Sequence, residues 1–452
     1  MGKLFGTDGV RGVANREGEL TPELAFQLGR AGAYVLTKKC KGVPRVLVGK
    51  DGRRSGDMLE AALVAGLCSI GVYVFQAGVI PTPAVAYLVR HYKLDAGVMI
   101  SASHNPMEDN GIKFFNDEGF KLHDSLEDEI ESLITTGFGK DVLLRPEGEG
   151  VGIINTCPFA LDDYASYLVS IAHGVRFDGL KIALDCANGA TSEVAPLVFA
   201  KLGADVFTRF NTPNGSNINA GCGSTHTEDL QEYVQTIGAD IGIALDGDGD
   251  RMLAIDENGK LLDGDVILAI CGLHMKEEGK LSELVATVMS NQGLERFCKK
   301  ENIIFHRTDV GDRYVLEKML AERLPLGGEQ SGHLIFREYG TTGDGILSAI
   351  RLIIVKALKK SKMSELAGIM EIFPQVLINA KVPNERKKEM FTNETIKKAQ
   401  QDIEEKIAGE GRILVRPSGT EPIVRVMIEG KDMKKIESWA KELVKVVEKT
   451  LG

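Results

Sequence analysis

Short apolar runs alternate with helix-length segments over most of the chain. Val46-Leu47-Val48-Gly49 leads into polar Lys50-Asp51-Gly52, and Ile182-Ala183-Leu184 into Asp185-Cys186-Ala187-Asn188-Gly189. Val285 to Met289 leads in the same way into Ser290-Asn291-Gln292-Gly293. Each is followed by a helical stretch and then by a second strand-like run, at Val72 to Phe75, Asp205 to Phe207 and Ile303 to Phe305. Such alternation is the mark of βαβ units and a largely parallel sheet. Three copies predict three similar α/β domains in tandem, although unrelated βαβ units within one large domain fit the pattern too. The last eighty residues read differently. A strand spans Pro374 to Pro383, a charged helix Asn393 to Ala408, two strands flank Arg416 to Pro422, and an amphipathic helix begins at Met433. That order predicts an α+β unit with helices on one face of a small antiparallel sheet. The expected boundaries are 1–154, 155–253, 254–370 and 371–452.

Length agrees, since 452 residues exceed one ordinary core. A net charge of −10 argues against a nucleic-acid or anionic-membrane binder, which needs a basic footprint. No run reaches the roughly 18 apolar residues of a membrane span. The nearest, Ala61 to Phe75, is interrupted by Gly66, Ser69 and Gly71 and reads as helix then strand. The opening MGKLFGTDGV has no apolar signal core, and Gly6 stands where a myristoylation site requires Ser or Thr. Seven cysteines, odd in number and without a CxxC pair, predict free thiols in a reducing compartment, hence a cytoplasmic protein. The lysines from Lys356 to Lys362 and at Lys387 and Lys388 read as a solvated helix face and linker.

Candidate chemistry gathers in five polar loops. Asp246-Gly247-Asp248-Gly249-Asp250-Arg251 follows the apolar strand Ile241 to Leu245, where open α/β sheets place ligands. Three carboxylates so close repel one another unless a hard divalent cation with oxygen ligands sits among them. The glycines allow a tight loop to turn all three inward. An EF-hand also begins D-x-D-x-D, and Glu257 falls at its twelfth position, but the obligatory sixth-position glycine is here Arg251. A solvated acidic turn is the remaining alternative. Ser101 to Pro106 follows the strand Ala96 to Ile100 and offers a hydroxyl at a sheet mouth, or merely a capping turn. Lys113 is a cation, an acid or base if its pKa is pulled down, or a plain surface lysine. Phe5 to Gly12 can present backbone N–H groups and Arg11 to an anion, or form an ordinary turn. Gly327 to His333 sets a carboxylate two residues from a hydroxyl, a pair suited to neighbouring sugar hydroxyls. Arg416 to Pro422, with Arg425, makes a donor cradle for phosphate or a simple β-turn.

Taken in order, GTDGVRG, SASHNP, DGDGDR, GEQSGH and RPSGTEP resemble the signature loops of the α-D-phosphohexomutases, from residue 3 to about 430. The resemblance implies four domains around a central cleft, three of them homologous α/β units and the last α+β. It implies that Ser103 carries a phosphoryl group and that Asp246, Asp248 and Asp250, with Ser103, bind one Mg²⁺. Lys113 would be the general acid or base, and Arg11, His104 and Arg251 would line the transferring phosphate. Glu329 and Ser331 would hold sugar hydroxyls. Arg416, Ser418, Gly419, Thr420 and Arg425 would clamp the other phosphate. The expected activity interconverts 6- and 1-phosphates of a hexose through phosphoserine and a 1,6-bisphosphate of glucose or glucosamine, which acts as intermediate or activator. Gln330, the VGDRYV segment and RVMIEG resemble the branch acting on hexosamine phosphates, which feeds amino-sugar nucleotide and cell-wall precursor synthesis. The branch acting on mannose or glucose phosphates is the alternative, and a Mg²⁺-dependent sugar-phosphate phosphatase is the rival from another class. A homodimer is plausible on the same resemblance.

Overall fold

The computed structural model describes residues 4–6, 8–38, 40–136, 145–407, 409–418 and 421–452. They form two compact units, Met1–Met289 with Ile303–Gly368, and Ser290–Asn302 with Ile369–Gly452. The first unit holds three sheets. One contains β1 (Val10–Val13), β2 (Arg45–Lys50), β3 (Tyr73–Val79), β4 (Ala96–Ile100), β5 (Asp109–Asn116) and β6 (Ile154–Thr156), in the order β1-β5-β4-β2-β3-β6. The next contains β7 (Lys181–Asp185), β8 (Asp205–Arg209), β9 (Ile241–Leu245), β10 (Met252–Ile255) and β11 (Leu261–Leu262), in the order β11-β10-β9-β7-β8. The third contains β12 (Glu283–Thr287), β13 (Ile304–Thr308), β14 (Leu326–Gly328) and β15 (Leu334–Phe336), in the order β13-β12-β14-β15.

One plan recurs in all three. A first strand pairs in parallel with the second and the third, and the third is joined by a hairpin to an antiparallel fourth. The sets are β2, β3, β4, β5; β7, β8, β9, β10; and β12, β13, β14, β15. The tandem α/β architecture expected from the apolar alternation is therefore present. Every residue of β4 and β9 is buried, which is why these strands read as unbroken apolar runs. Close packing also has a sequence cause. In the helices Pro22–Thr37 and Gly56–Cys68, a side chain at Gly29 would strike the Leu63 carbonyl, and one at Gly66 the Phe26 carbonyl. The two glycines let the backbones meet.

Two expected boundaries need adjustment. β6 pairs with β3, so Ile154–Thr156 closes the first sheet, and the 154/155 division cuts it. β10 pairs with β9, so the 253/254 division falls inside a strand of the second sheet. The first signal missed was pairing with a distant strand, which leaves no local trace; the second was a hairpin across the DGDGDR loop, which carries the sheet past the loop.

The second unit contains β16 (Gln375–Lys381), β17 (Gly411–Pro417) and β18 (Ile423–Gly430), antiparallel in the order β16-β18-β17. The helix Met433–Leu451 turns Ile436, Ala440, Leu443, Val447 and Leu451 onto this sheet's core, the i, i+4, i+7 stripe of an amphipathic helix. The helix Gln292–Lys300, within the expected 254–370 stretch, groups with this unit. Asn291 exchanges hydrogen bonds with the backbone of Phe373, at 2.9 and 3.0 Å. The lysine scatter is not uniformly solvated either. Lys356 is buried, and Lys387 is buried with its ammonium on the carbonyls of Ser418 and Glu421.

Candidate active site

Three of the five polar loops are topological equivalents. SASHNP connects β4 to β5, DGDGDR connects β9 to β10, and Glu329 to His333 connects β14 to β15. Each is the hairpin turn at the end of the third strand of its sheet. Repetition of one βαβ plan thus delivers a hydroxyl, a set of carboxylates and a carboxylate–hydroxyl pair to equivalent positions.

Ser103 sits at φ 53° and is 1% exposed. Its hydroxyl donates to Asp246 Oδ2 at 2.6 Å and lies 3.2 Å from His104 Nδ1. Asp246, Asp248 and Asp250 are buried, and one carboxylate oxygen of each falls within a 4.8 Å group. Burial, then the charges of Asp250 and Asp248, push the Asp246 carboxyl well above the usual range. Asp248 Oδ2 accepts from Thr82 Oγ1 at 2.6 Å and from Lys113 Nζ at 2.8 Å. The other oxygen, Asp248 Oδ1, and Asp250 Oδ1 are buried without a hydrogen-bond donor among the described residues. Buried carboxylate oxygens without donors, in a cluster of three carboxylates this tight, fit a hard, oxygen-seeking cation.

Cations ring this cluster. Lys113 is 1% exposed, with its ammonium also 3.0 Å from Asp8 Oδ2 and 4.0 Å from Asp250. Burial favours its neutral form, but Asp248, Asp8 and Asp250 outweigh that and hold its pKa above the ordinary lysine value. The depressed pKa that an acid–base role would call for is therefore not the state seen here. Arg11 pairs with Asp8 and reaches the Ala102 carbonyl at 3.4 Å. Arg251 donates its backbone N–H to Asp246 Oδ1 at 3.0 Å, with its guanidinium 3.8 Å from Asp250. Burial, reinforced by Arg251 and Arg11, pushes the His104 imidazole down to about 4, so it is neutral at pH 7.

The loop from Glu329 to His333 adjoins the same cluster, with His333 3.6 Å from Asp250. Glu329 is buried, accepts the Gly311 N–H at 3.1 Å, and has its pKa raised, first of all by burial. Ser331 is exposed. Gln330 does not point free: its amide donates to Asp263 Oδ2 at 3.0 Å, bracing the loop against the cap of the helix Gly264–Glu277. His333 accepts the Gly343 N–H on Nε2 at 3.0 Å, which leaves the Nδ1 proton facing Asp250 at 3.6 Å. A cavity of about 400 Å³ lies against Asp8, Lys113, Lys121, Asp312 and His333.

In the second unit, Arg416 and Arg425 are direct partners across β17 and β18. Like charges opposite one another in a sheet are unfavourable unless an anion or carboxylate intervenes, and Glu421 supplies one to Arg425 at 2.8 Å. Ser418 Oγ accepts the Glu421 N–H at 3.2 Å. Gly419 and Thr420 lie outside the described residues.

Family models named for phosphoglucomutase/phosphomannomutase match in four consecutive stretches. Alpha/beta/alpha domains I, II and III match residues 2–139, 162–259 and 263–373, and the C-terminal domain matches 377–446. The chain belongs to the phosphoglucomutase/phosphomannomutase family. A relative from Ruminiclostridium cellulolyticum named phosphoglucosamine mutase is 57% identical over 454 aligned positions, covering 100% of both chains. The fold is shared with a phosphoglucomutase/phosphomannomutase family protein from Burkholderia thailandensis (TM-score 0.82, 23% identity, 99% of this chain and 97% of that one). It is shared as well with Aspergillus fumigatus N-acetylphosphoglucosamine mutase, solved with GlcNAc-6P and magnesium (TM-score 0.74, 18% identity, 99% and 96%).

Within this phosphoglucomutase/phosphomannomutase framework the structure adds charged residues that the sequence reading passed over. Lys121 bridges Asp8 Oδ1 at 2.6 Å and Asp312 Oδ2 at 2.5 Å. Asp8 lies inside GTDGVRG and Asp312 inside VGDRYV, so both stood in segments already singled out, but their pairing needed the fold. Asp344 caps the helix Gly345–Lys359 through the Leu347 N–H and accepts from the buried Tyr164 hydroxyl at 2.7 Å. Its neighbour Gly345 donates to the Gly249 carbonyl of the carboxylate loop. Burial raises the Asp344 carboxyl to about 6. Folding then takes up a proton between the unfolded value near 4 and pH 6, so stability present at the acid end is lost as pH rises through 6. At roughly 1.4 kcal/mol per unit, the cost above pH 7 is about 3 kcal/mol. Asp344→Asn keeps a capping oxygen and cannot ionise. Its thermal midpoint is expected to rise relative to wild type between pH 5 and 7.5. A difference independent of pH would show that Asp344 does not titrate in this window.

Proposed function

We propose that this protein interconverts glucosamine 6-phosphate and glucosamine 1-phosphate. The observation that carries the chemistry is the Ser103 hydroxyl held 2.6 Å from Asp246 inside a buried carboxylate cluster with orphaned oxygens. The choice of sugar is supported by the full-length relative at 57% identity. Asp246, Asp248 and Asp250, with an oxygen on Ser103, would hold one Mg²⁺, which when bound supplies neutralising charge beside the phosphoryl group.

In this reading, Ser103 in its phosphorylated form gives its phosphoryl group to the free hydroxyl of the sugar monophosphate, yielding glucosamine 1,6-bisphosphate. The P–O bond to serine breaks, the bond to the sugar oxygen forms, and the sugar's hydroxyl proton ends on the serine oxygen. Lys113, held charged by Asp248 and Asp8, is the group we assign to give its proton to the departing serine oxygen and to take up the sugar hydroxyl's in return. Arg11, His104 and Arg251 steady the transferring phosphoryl, since such transfer depends on in-line placement and charge stabilisation. Glu329 and Ser331 hold sugar hydroxyls. Arg416, Ser418, Gly419, Thr420 and Arg425 hold the phosphate that is not reacting. The bisphosphate then reverses, and Ser103 recovers the other phosphoryl group. A cytoplasmic setting belongs to the proposal, supported by seven free thiols. A homodimer is the assembly we expect.

The test is a coupled mutase assay with Mg²⁺ on glucosamine, glucose and mannose 6-phosphates. Glucosamine 6-phosphate is expected to turn over fastest. Faster turnover of glucose or mannose phosphate would move the protein to the other substrate branch, and net release of inorganic phosphate would make it a phosphatase.

A further inference from the structure

We propose that Asn219, outside all five signature loops, is a positioning residue that sets the serine loop against the carboxylate loop. The inference rests on the roles given above to Ser103 and Asp246. Its basis is a pair of carbonyl oxygens gripped from two sides. Asn219 Nδ2 donates to Ser103 O at 2.8 Å and to Asn105 O at 3.0 Å. One nitrogen of Arg53 donates to the same two oxygens, each at 2.9 Å.

The two donors have different origins. Arg53 follows β2 in the serine loop's own sheet, where its Nε pairs with buried Asp51 at 2.9 Å and its other nitrogen reaches the carbonyls of Pro106 and Asp109. It fixes the loop's internal shape. Asn219 lies in the stretch matched by domain II, which also carries Asp246. It is 8% exposed, sits at φ 57°, and is anchored by its own N–H on the Ala187 carbonyl at 2.9 Å. Three residues on, Ala190 donates its N–H to Gly247 O at 2.8 Å. Asn219, the turn after β7 and the carboxylate loop are thus tied together.

Ser103 is consequently held at both ends by one block, through its carbonyl by Asn219 and through its hydroxyl by Asp246. Asn219 touches no reacting atom. It acts by fixing where the serine oxygen stands relative to the carboxylates, and an error of about 1 Å in such placement can cost on the order of 10²-fold in rate. Its removal also differs from an ordinary buried deletion. Arg53 continues to satisfy both carbonyls, so no acceptor is orphaned, and stability should change little.

Two variants of the full-length protein test this. Asn219→Asp keeps the shape and tolerates the left-handed backbone, but turns a carboxylate toward two carbonyls. Asn219→Gly keeps the backbone and removes the donor. With glucosamine 6-phosphate and Mg²⁺, kcat is expected to fall on the order of 10²-fold in Asn219→Asp and somewhat less in Asn219→Gly. KM should stay near wild type in both, and the thermal midpoint near wild type in Asn219→Gly; Asn219→Asp should also lose some stability, because its nearly buried carboxylate faces two carbonyl oxygens. If kcat in both variants stays within about threefold of wild type, or falls only in step with lost thermal stability, the positioning role is overturned. Ser103→Ala measured alongside separates the two ideas, because full activity there would remove the functional reading itself.

Discussion

Ser103→Ala is expected to lower mutase turnover on the order of 10⁴-fold or more, the scale seen when an essential nucleophile is removed. The hydroxyl is the reacting atom in the proposed cycle, and among the described residues no other serine or threonine hydroxyl donates to Asp246. The fold should survive. Alanine carries the same Cβ as serine at φ 53°, so the backbone strain is unchanged. The hydrogen bonds lost are those of one hydroxyl, worth about 1 kcal/mol net. Thermal unfolding close to wild type, with turnover at the detection limit, is the predicted pair of results. Intact mass should show a phosphoryl adduct on wild type that the variant cannot carry. Activity within tenfold of wild type would mean that the phosphoryl group travels by another residue.

The fold was legible where its cause is local. β4 and β9 announce themselves because every position is buried, and the polar loops after them stand out against that background. The α+β tail was legible from its spacing, with Ile436, Ala440, Leu443 and Val447 one helical turn apart. What stayed hidden depends on residues far apart in the chain. Lys121 acquires meaning only when folding sets it between Asp8 and Asp312. Arg53 carries no local mark of its role, yet it donates to the carbonyls of Ser103, Asn105 and Asp109 and so fixes the serine loop. Lys387 read as a solvated lysine because its partners, the carbonyls of Ser418 and Glu421, carry no side-chain signature. Asn219 had no signal of its own, since an amide bonding to backbone can serve any neighbour. Loop chemistry was therefore readable, and the groups that hold the loops in register were not.

That register makes Gly247→Ala the second large effect. A Cβ at Gly247 would lie 2.6 Å from Ser103 O, 2.8 Å from Asn219 Nδ2 and 2.9 Å from Ile218 Cδ1. The nearest atom is backbone, which cannot swing aside as a flexible side chain would. Nor can Gly247 retreat freely, because its carbonyl accepts the Ala190 N–H at 2.8 Å and Gly189 packs against it. Arg53 meanwhile holds the serine loop to its own sheet. Relief must come from widening the gap between Ser103 and Asp246, the one distance the chemistry depends on. Overpacking of this kind costs about 1–3 kcal/mol of stability, whereas displacement of the nucleophile by about 1 Å can remove on the order of 10²-fold in kcat. Activity should thus fall far more than stability, with KM little changed. Gly42→Ala is the control, since nothing lies within 4 Å of its Cβ position and its φ is ordinary. If Gly247→Ala turns over as fast as Gly42→Ala, the serine and carboxylate loops are not held at a fixed distance, and the placement argued for Ser103 fails with it.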